Sequence, residues 1–459
     1  MQNSVTINEV VNEANNNIKL LLIMWHEVLY RILSIINYIV LIIFAIPLSV
    51  QFLEVIIALV TKKRKFPKSE KKAKIAFLIP AHNEEDVIFS TVKDILENQD
   101  YPKELITVYV VADNCTDKTA ELAKEAGANI LTRFDDDPNH KMALFPLKMG
   151  IDYILKNLPD VELIVHCDAD NHFNKEFSSK MNDAYQHDGD FFRPFEGAIN
   201  GAQNTFTRAC SFFYCYDSRY CSRAREKMGI AQHINGSGAT MSRRLLLKTN
   251  GYDVENISDD TDFCLNRILD GTKMHFVEEA IVYEDMPSTG KDTVNRNKRI
   301  AQGGQALMKQ KVGKMFFLFF KTGRFSYLET FFTYIWLFIG APLFIWLAFY
   351  YIYFGIYSAL VFNGTATLSM FTTEYFASIG WGTMWALVIF AGFTFVIFGI
   401  AQSFVLAVFE YDKFGAKKRS QFVSLIFLFP VYLIIYAFTI LGGFMSKKGN
   451  KWEKIKRNS

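Results

Sequence analysis

The sequence lacks three features that would place it in a familiar class. The net charge is only +3 at pH 7, too small for a generic polyanion binder, so nucleic acid is not an expected partner. The six cysteines form no C-x-x-C pair, which disfavours a structural zinc site and leaves them as packing residues in a reducing compartment. No G-x-x-x-x-G-K-[ST] loop is present, so nothing in the sequence would power an ATP-driven pump.

Apolar residues are abundant and unevenly placed. Half of the chain is apolar and 15% is aromatic, including 43 Phe, whereas 21% is charged. This composition is too apolar for a soluble enzyme and too charged for a chain that lies wholly in a membrane. Residues 32–60 contain only Asn37, Gln51 and Glu54 as strongly polar interruptions. Because about 20 apolar residues in helix cross a bilayer, this stretch is predicted to be a transmembrane helix.

The distribution of apolar and basic residues predicts a cytoplasmic domain between membrane segments of a multi-pass cell-membrane protein. We predict an interfacial segment over 1–31, a transmembrane helix over 32–60, a basic linker over 61–74, a globular domain over 75–312, a second interfacial segment over 313–326, a transmembrane region of three or four helices over 327–446 and a basic tail over 447–459. Basic loops next to a span stay in the cytoplasm, which sets the orientation. A solvated linker that happens to be basic is the alternative, and the side of the C-terminus stays open.

Within the globular domain, short apolar runs alternate with helix-like stretches. The runs KIAFLIPA (74–81), ITVYVVAD (106–113) and ELIVH (162–166) lack strict polar alternation. This pattern predicts an α/β fold with a mostly parallel sheet covered on both faces. Ligands of such sheets bind outside the carboxyl ends of the strands. Asp113 and the pair Asp168 and Asp170 lie at two of these ends.

Asp168 and Asp170 form a D-x-D pair directly after a buried strand. Alternate residues of an extended chain point the same way, so both carboxylates can face one Mg²⁺ or Mn²⁺ ion, which prefers oxygen ligands. A solvated turn is the simplest alternative. Zinc bound through His166, Cys167 and His172 is a second alternative, but the spacing of a four-ligand site is absent. A haloacid-type phosphatase would carry its D-x-D on the first strand.

Seven motifs occur in a characteristic order. They are IPAHNEE (79–85), VVADNCTDKT (110–119), NHKMALFPLKMG (139–150), HCDAD (166–170), NGSGATMSRRLLLKTNGYD (235–253), SDDTDF (258–263) and RNKRIAQGG (296–304). Together they resemble the family 2 glycosyltransferases, in particular the membrane-embedded synthases of the cellulose, hyaluronan and poly-N-acetylglucosamine type. The resemblance covers about 75–305. It implies a nucleotide-sugar-binding domain of GT-A type, flanked by transmembrane helices.

The resemblance implies roles on the nucleotide and metal side. Glu84 and Asp113 match the residues that hold the uridine in that family. Lys141 matches the lysine that meets the diphosphate. Asp168 and Asp170 match the metal-binding pair, and Asp168 is also expected to lie against the nucleotide.

The resemblance also implies a catalytic base and a diphosphate contact. The T-E-D triplet of the family, whose Asp is the base, corresponds to Ser258-Asp259-Asp260, which gives that role to Asp260. The (Q/R)xxRW motif corresponds to 296–300, so Arg296 and Arg299 are expected near the diphosphate. A basic face near lipid headgroups is the alternative for these arginines. Ile300 replaces the tryptophan of the motif, which puts the acceptor and the processive character in doubt.

The function implied is an inverting hexosyl- or N-acetylhexosaminyl-transferase. Its donor is a nucleotide sugar, expected to be UDP-linked, and its acceptor is a glycan or a lipid at the cytoplasmic face of the bilayer. The resemblance leaves room for an accessory membrane subunit. A transporter with a cytosolic regulatory domain is disfavoured because ionisable residues are scarce in the late apolar blocks. A non-catalytic sugar-nucleotide sensor would be expected to have lost Asp260.

Overall fold

The computed structural model describes residues 7–137, 140, 142–335, 342, 345–346, 349–350, 352–353, 400, 402–416, 418–422, 438–439 and 442–443. The chain divides into two compact units, one made of 1–49 and 339–396 and the other of 50–338 and 397–459. Within the first unit, the Ser34 hydroxyl lies 3.0 Å from the Tyr350 hydroxyl. The globular domain lies entirely within the second unit.

The elements follow the alternation that the sequence predicts. The described helices are α1 (Ile7–Val60), α2 (Ile88–Asn98), α3 (Thr119–Glu125), α4 (Leu144–Asn157), α5 (Phe177–His187), α6 (Thr205–Tyr216), α7 (Arg223–Met228), α8 (Arg243–Lys248), α9 (Asp259–Asp270), α10 (Gly290–Leu307), α11 (Gly313–Thr322), α12 (residues 325–335) and α13 (Gln402–Phe409). The strands are β1 (Lys74–Ala81), β2 (Ile106–Asp113), β3 (Asn129–Arg133), β4 (Val161–His166), β5 (His172–Phe173), β6 (Phe191–Ala198), β7 (Thr240–Ser242) and β8 (Met274–Glu284).

The sheet is mixed, with the order β3-β2-β1-β4-β7-β6-β8-β5. Strands β3, β2, β1 and β4 are parallel, as predicted, and β6 is parallel to β8. Strand β7 is antiparallel to both β4 and β6, and β5 is antiparallel to β8. Because β7 runs against both of its neighbours, β6 and β8 run in the same direction as β1, β2 and β4. The carboxyl ends of these five strands therefore share one edge of the sheet.

Both faces of the sheet are buried, which explains why its central strands are apolar without alternation. Phe77 and Val110 belong to the core on one face, which α2, α3 and α5 cover. Leu78 and Val111 belong to the core on the other face, together with residues of α4 and α9. Packing on both faces holds β1 and β2 in place, and so positions the ends of these strands, where the polar residues follow.

Helix α1 is continuous through residue 31, so no break separates the predicted interfacial segment from the predicted span. Among the described residues, one helical stretch is long and apolar enough to cross a bilayer, Arg31–Val60. The segments predicted over 327–446 fall largely outside the described residues.

Near the end of α1, Glu54 is buried and its Oε1 lies 3.2 Å from Arg225 Nε. Arg225 Nη2 also lies 2.9 Å from Oε1 of Glu329 in α12.

The basic segment 61–74 packs against the globular domain. Arg64 Nη1 donates to Glu226 Oε1 at 2.5 Å. The Ser69 N–H donates to Asp183 Oδ1 at 3.0 Å, and the Ala73 N–H donates to Asn182 Oδ1 at 2.9 Å. This segment is therefore held by the domain along its length and is not a loose tether.

Candidate active site

The carboxyl ends of β1, β2 and β4 bring predicted site residues to the same edge of the sheet. Glu84 follows β1, is buried, and its N–H donates to Thr119 Oγ1 at 2.8 Å. Asp113 is the last residue of β2, and Asp168 follows the end of β4. Lys141, expected at the diphosphate, lies outside the described residues. The preceding residue, His140, contacts Asp135 through Nδ1 at 2.8 Å.

A residue that the sequence reasoning missed holds Asp113. Arg133 ends β3, pairs in register with Asp113, and its Nη1 donates to Asp113 Oδ1 at 2.6 Å. Its Nη2 donates to Asp135 Oδ2 at 2.6 Å, and its guanidinium lies over the Phe145 ring. Only the pairing of β2 with β3 brings Arg133 to Asp113, and no local sequence signal indicates this pairing. Arg133 therefore fixes the carboxylate that is predicted to meet the base of the nucleotide.

Replacing Arg133 with Met should weaken UDP binding by about tenfold or more, since hydrogen bonds to charged groups contribute about 1.5–3 kcal/mol. Isothermal titration with UDP measures the change, and Arg133→Lys should keep part of the affinity. Arg244→Met is the matched control, because Arg244 pairs with Asp190 at an exposed position. Unchanged UDP affinity in a folded Arg133→Met protein would show that Asp113 does not contact the nucleotide.

The turn that carries Asp168 and Asp170 is fixed by its surroundings. The Asp168 N–H donates to Asn171 Oδ1 at 2.9 Å, and Thr91 Oγ1 of α2 donates to the Ala169 carbonyl at 2.7 Å. The Asp168 side chain is 50% exposed, and its Oδ2 accepts a hydrogen bond from Ser237 Oγ at 2.9 Å. The pair is therefore held in place while one of its carboxylates stays open to solvent.

The donor set fits a hard divalent cation better than zinc. Within the described part of the chain, no group of three or more His, Cys, Asp and Glu residues is arranged around a common metal position. His172 contacts Asp94 at 3.3 Å, and burial raises the pKa of the Cys167 thiol well above its usual value. Two carboxylates at an exposed edge suit Mg²⁺ or Mn²⁺, which completes its shell with phosphate oxygens and water.

The predicted base, Asp260, lies at the start of α9. Its Oδ1 accepts a hydrogen bond from the Thr261 N–H at 2.6 Å, and its Oδ2 accepts one from the Gly236 N–H at 3.1 Å. The next residue in the chain, Ser237, is the one that donates to Asp168. Two adjacent residues of one loop thus donate to the predicted base and to the predicted metal ligand. This link brings the two carboxylates to neighbouring positions, although 91 residues separate them in the chain (numbers 169 to 259).

A small cavity adjoins Asp260. It is lined by His166, Phe191, Asn235, Gly236, Ala239, Met241, Tyr252, Asp260 and Phe263. The lining combines an apolar floor with the polar edges of His166 and Asn235. A Cβ at Gly236 would lie 3.1 Å from His166 Cε1, so a side chain at this position would press on the His166 ring.

The acids next to Asp260 have different environments. Burial raises the pKa of Asp259 to about 8, and the negative charges of Asp260 and Asp168 add to the shift. Asp259 is therefore largely protonated at neutral pH. Asp262 is buried, and its Oδ2 accepts hydrogen bonds from the Glu255 and Asn256 N–H groups at 3.0 and 3.1 Å. Asp262 is thus held by backbone donors and is not a solvated acid at the start of the helix.

Helix α10 carries the two predicted arginines and packs against the start of α9. A Cβ placed on Gly303 would overlap the Ser258 side chain, so glycine permits the close approach of the two helices. Arg296 Nη2 lies 3.4 Å from Glu284 Oε2 at the end of β8, and its guanidinium lies over the Tyr214 ring. Arg299 is exposed on the same helix. Only Arg296 is thus held against the edge of the sheet where the other site residues lie.

Glu284 is a second residue that the sequence reasoning missed. It is buried, and its Oε2 pairs with Arg296. Burial raises its pKa to about 8, against the opposing charge of Arg296. Its position at the shared carboxyl edge follows from the mixed sheet order, which the sequence does not indicate.

Comparison with known proteins identifies the family. Residues 163–441, more than half of the chain, match the family described as Glycosyl transferase family group 2, and residues 73–136 match the family described as Glycosyltransferase like family 2. The chain belongs to glycosyltransferase family 2. It is therefore an enzyme that transfers a sugar from a nucleotide sugar, and the resemblance of its motifs to this family is confirmed.

Individual relatives of this family 2 glycosyltransferase are distant. It is 25% identical to the probable glycosyltransferase YdaM of Bacillus subtilis over 84% of its own length and 87% of that protein. It is 26% identical to a beta-monoglucosyldiacylglycerol synthase of Nostoc sp., over 50% of its length and 48% of the synthase. It is 23% identical to a poly-beta-1,6-N-acetyl-D-glucosamine synthase of Staphylococcus aureus, over 55% and 58%.

A solved structure supports the fold. The chain resembles the mannosyltransferase PcManGT from Pyrobaculum calidifontis, with a TM-score of 0.51, 14% identity and coverage of 88% of this chain and 98% of that one. The predicted α/β fold of GT-A type is thereby confirmed, with the correction that its sheet is mixed.

Proposed function

We propose that this family 2 glycosyltransferase inverts the anomeric centre of a UDP-linked sugar, with Asp260 as the general base. The observation that carries the proposal lies in the loop 235–237. Two adjacent residues of this loop, Gly236 and Ser237, donate hydrogen bonds to Asp260 and to Asp168, respectively. A base and a metal-binding carboxylate placed side by side suit a reaction in which a hydroxyl attacks as a diphosphate departs.

Each group has a defined part in the proposed reaction. Asp260 accepts the proton of the acceptor hydroxyl as its oxygen attacks the anomeric carbon from the face opposite the diphosphate. The protonated Asp259 adds little negative charge beside Asp260. The bond between the anomeric carbon and the diphosphate oxygen breaks, and the nucleoside diphosphate leaves with that electron pair.

The departing diphosphate needs positive charge. Asp168 and Asp170 would hold Mg²⁺ or Mn²⁺, which supplies electrostatic stabilisation of the leaving group when bound. PcManGT was solved with GDP-Man and Mn²⁺, which supports the choice of ion. Lys141, Arg296 and Arg299 are proposed to add fixed positive charge.

The nucleoside is proposed to lie on the side of β1 and β2. Glu84 and Asp113 are both buried at the ends of these strands, and Arg133 orients Asp113. A preformed carboxylate of this kind accepts hydrogen bonds from the N–H groups of a base with little loss of side-chain freedom.

The apolar stretch of α1 and the basic segment after it support a proposal on the membrane arrangement. We propose that Arg31–Val60 crosses the cell membrane, that helices within 327–446 make the protein multi-pass, and that the globular domain faces the cytoplasm, where nucleotide sugars are made. A cysteine introduced at the exposed position Glu70 should react with a membrane-permeant maleimide only. Its labelling from outside intact cells would overturn the orientation.

The acceptor is proposed to be a glycan or a lipid, since the relatives include both a glucosyldiacylglycerol synthase and a polysaccharide synthase. Purified full-length protein with Mn²⁺, a panel of UDP-sugars, and diacylglycerol or oligosaccharide acceptors tests this. We expect one UDP-sugar to be consumed with UDP release and an inverted product linkage by NMR. A retained linkage, or turnover only with a GDP-sugar, would contradict the proposal.

A further inference from the structure

The loop 235–237 has little stiffness of its own. Gly236 interrupts it, and Gly238 follows with φ +69°, a conformation that L side chains rarely adopt. Glycine loses more conformational freedom than any other residue when it is ordered. The two donors of this loop, the Gly236 N–H and the Ser237 hydroxyl, can therefore keep their positions only if the surrounding structure holds them.

A buried ion pair lies directly behind the loop. Arg193 and Glu196 of β6 are 0% and 1% exposed. Arg193 Nη1 donates to the His233 carbonyl at 2.7 Å, just before the loop. Both carboxylate oxygens of Glu196 accept hydrogen bonds from Asn235 Nδ2, at 2.9 and 3.0 Å. The backbone before the loop and the first side chain of the loop are thus both anchored by this pair.

An irregularity in β6 allows Arg193 and Glu196 to pair with each other. In a regular strand, residues three apart point to opposite faces, yet Arg193 Nη2 lies 3.2 Å from Glu196 Oε1. The register between β6 and β8 shifts between Pro194 and Phe195, that is, between the two partners. Irregularities of this kind re-aim side chains next to active sites. Asp217 Oδ2 accepts a further bond from Arg193 Nη2 at 2.6 Å and holds the guanidinium in place.

We propose that Arg193 and Glu196 are positioning residues, which hold the loop 235–237 so that its donors fix the base Asp260 and the metal ligand Asp168 relative to each other. The inference rests on the proposed function. Neither residue touches the reacting atoms; each acts through Asn235 or the His233 carbonyl. Loss of either anchor leaves the nucleotide side of the site, at β1 and β2, unchanged.

The test compares buried glutamates of neighbouring strands. Glu196→Met removes both acceptor oxygens at similar volume, and Glu278→Met is the matched control, because Glu278 is also buried, pairs with Arg223 and does not contact the loop. We expect Glu196→Met to lower kcat by about 10- to 100-fold, as for a hydrogen bond to a charged group. UDP affinity should stay within about twofold in both variants, and kcat should be unchanged in Glu278→Met. Glu196→Gln, which keeps an acceptor for Asn235, should restore most of the rate.

Asn235→Ala removes the hydrogen bonds between Asn235 and Glu196 by changing the residue in the loop. It serves as the test if Glu196→Met does not fold. It should lower kcat to a similar extent. The inference would be overturned if Glu196→Met and Glu278→Met lowered the melting temperature equally while kcat of the folded protein stayed intact. The intact kcat would have to be seen in both Glu196→Met and Asn235→Ala. Asp260→Asn is assayed alongside: if it stays active, the proposed function fails, whereas an inactive Asp260→Asn with an intact Glu196→Met overturns the positioning role alone.

Discussion

Replacing Asp260 with Asn should lower kcat by about 10²–10⁴-fold, the usual cost of removing a general base. Asparagine keeps the shape of the side chain and an oxygen for the Gly236 N–H, but it cannot accept the proton of the acceptor. Because UDP is proposed to bind on the side of β1 and β2, its affinity should change by less than about twofold. Turnover is measured by UDP release and affinity by isothermal titration.

Asp259→Asn is the matched control for this experiment. Asp259 neighbours Asp260 at the start of α9, and its raised pKa, about 8, leaves it largely neutral at pH 7. The neutral amide should therefore support activity within about tenfold of the wild-type rate. Equal damage from the two substitutions, or loss of UDP affinity as heavy as the loss of turnover in Asp260→Asn, would assign Asp260 a binding role instead.

Replacing Asp170 or Asp168 with Asn should lower turnover by roughly 10³-fold or more, because a bound divalent ion contributes several kcal/mol of transition-state stabilisation. Chelation by EDTA should reduce the wild-type rate to the same level, and added Mn²⁺ should restore it. The residual activity of each variant should no longer respond to Mn²⁺ between micromolar and millimolar concentrations.

Asp160→Asn is the control for the metal site. Asp160 lies at the opposite end of β4, where it is exposed and pairs with Lys74 at 2.6 Å. This variant should keep both its rate and its dependence on Mn²⁺. Wild-type rates in Asp170→Asn, or full activity in EDTA, would place the metal elsewhere or remove it from the reaction.

The sequence allowed the parallel half of the sheet and its site residues to be predicted because these depend on local patterns. Continuous apolar runs identify β1, β2 and β4, and the polar residue after each run then falls on the carboxyl edge. Asp113 and Asp168 lie at that edge in the structure. The resemblance in the motifs added Asp260, which no strand pattern indicates.

The remainder depends on contacts between distant parts of the chain. Strand β7 has three residues, too few for a recognisable pattern, yet its antiparallel pairing decides that Glu284 reaches the site. Arg133 becomes relevant only when β3 pairs with β2, and Gly303 only when α10 meets Ser258. Asp262 accepts hydrogen bonds from the Glu255 and Asn256 N–H groups, and the polar sequence around it does not reveal these contacts.

The ion pairs of Arg225 affect how the globular domain can be isolated as a fragment. This guanidinium is 1% exposed, and two of its partners, Glu54 and Glu329, come from α1 and α12, outside the predicted domain limits of 75 and 312. Of the carboxylates that pair with Arg225 in the described part of the chain, a fragment cut at those limits would retain only Asp217, at 3.6 Å. Removing one partner of a buried ion pair costs about 3–5 kcal/mol, a large part of the roughly 5–15 kcal/mol that keeps a protein folded. A soluble fragment for crystallography would need both helix ends, or an apolar residue in place of Arg225.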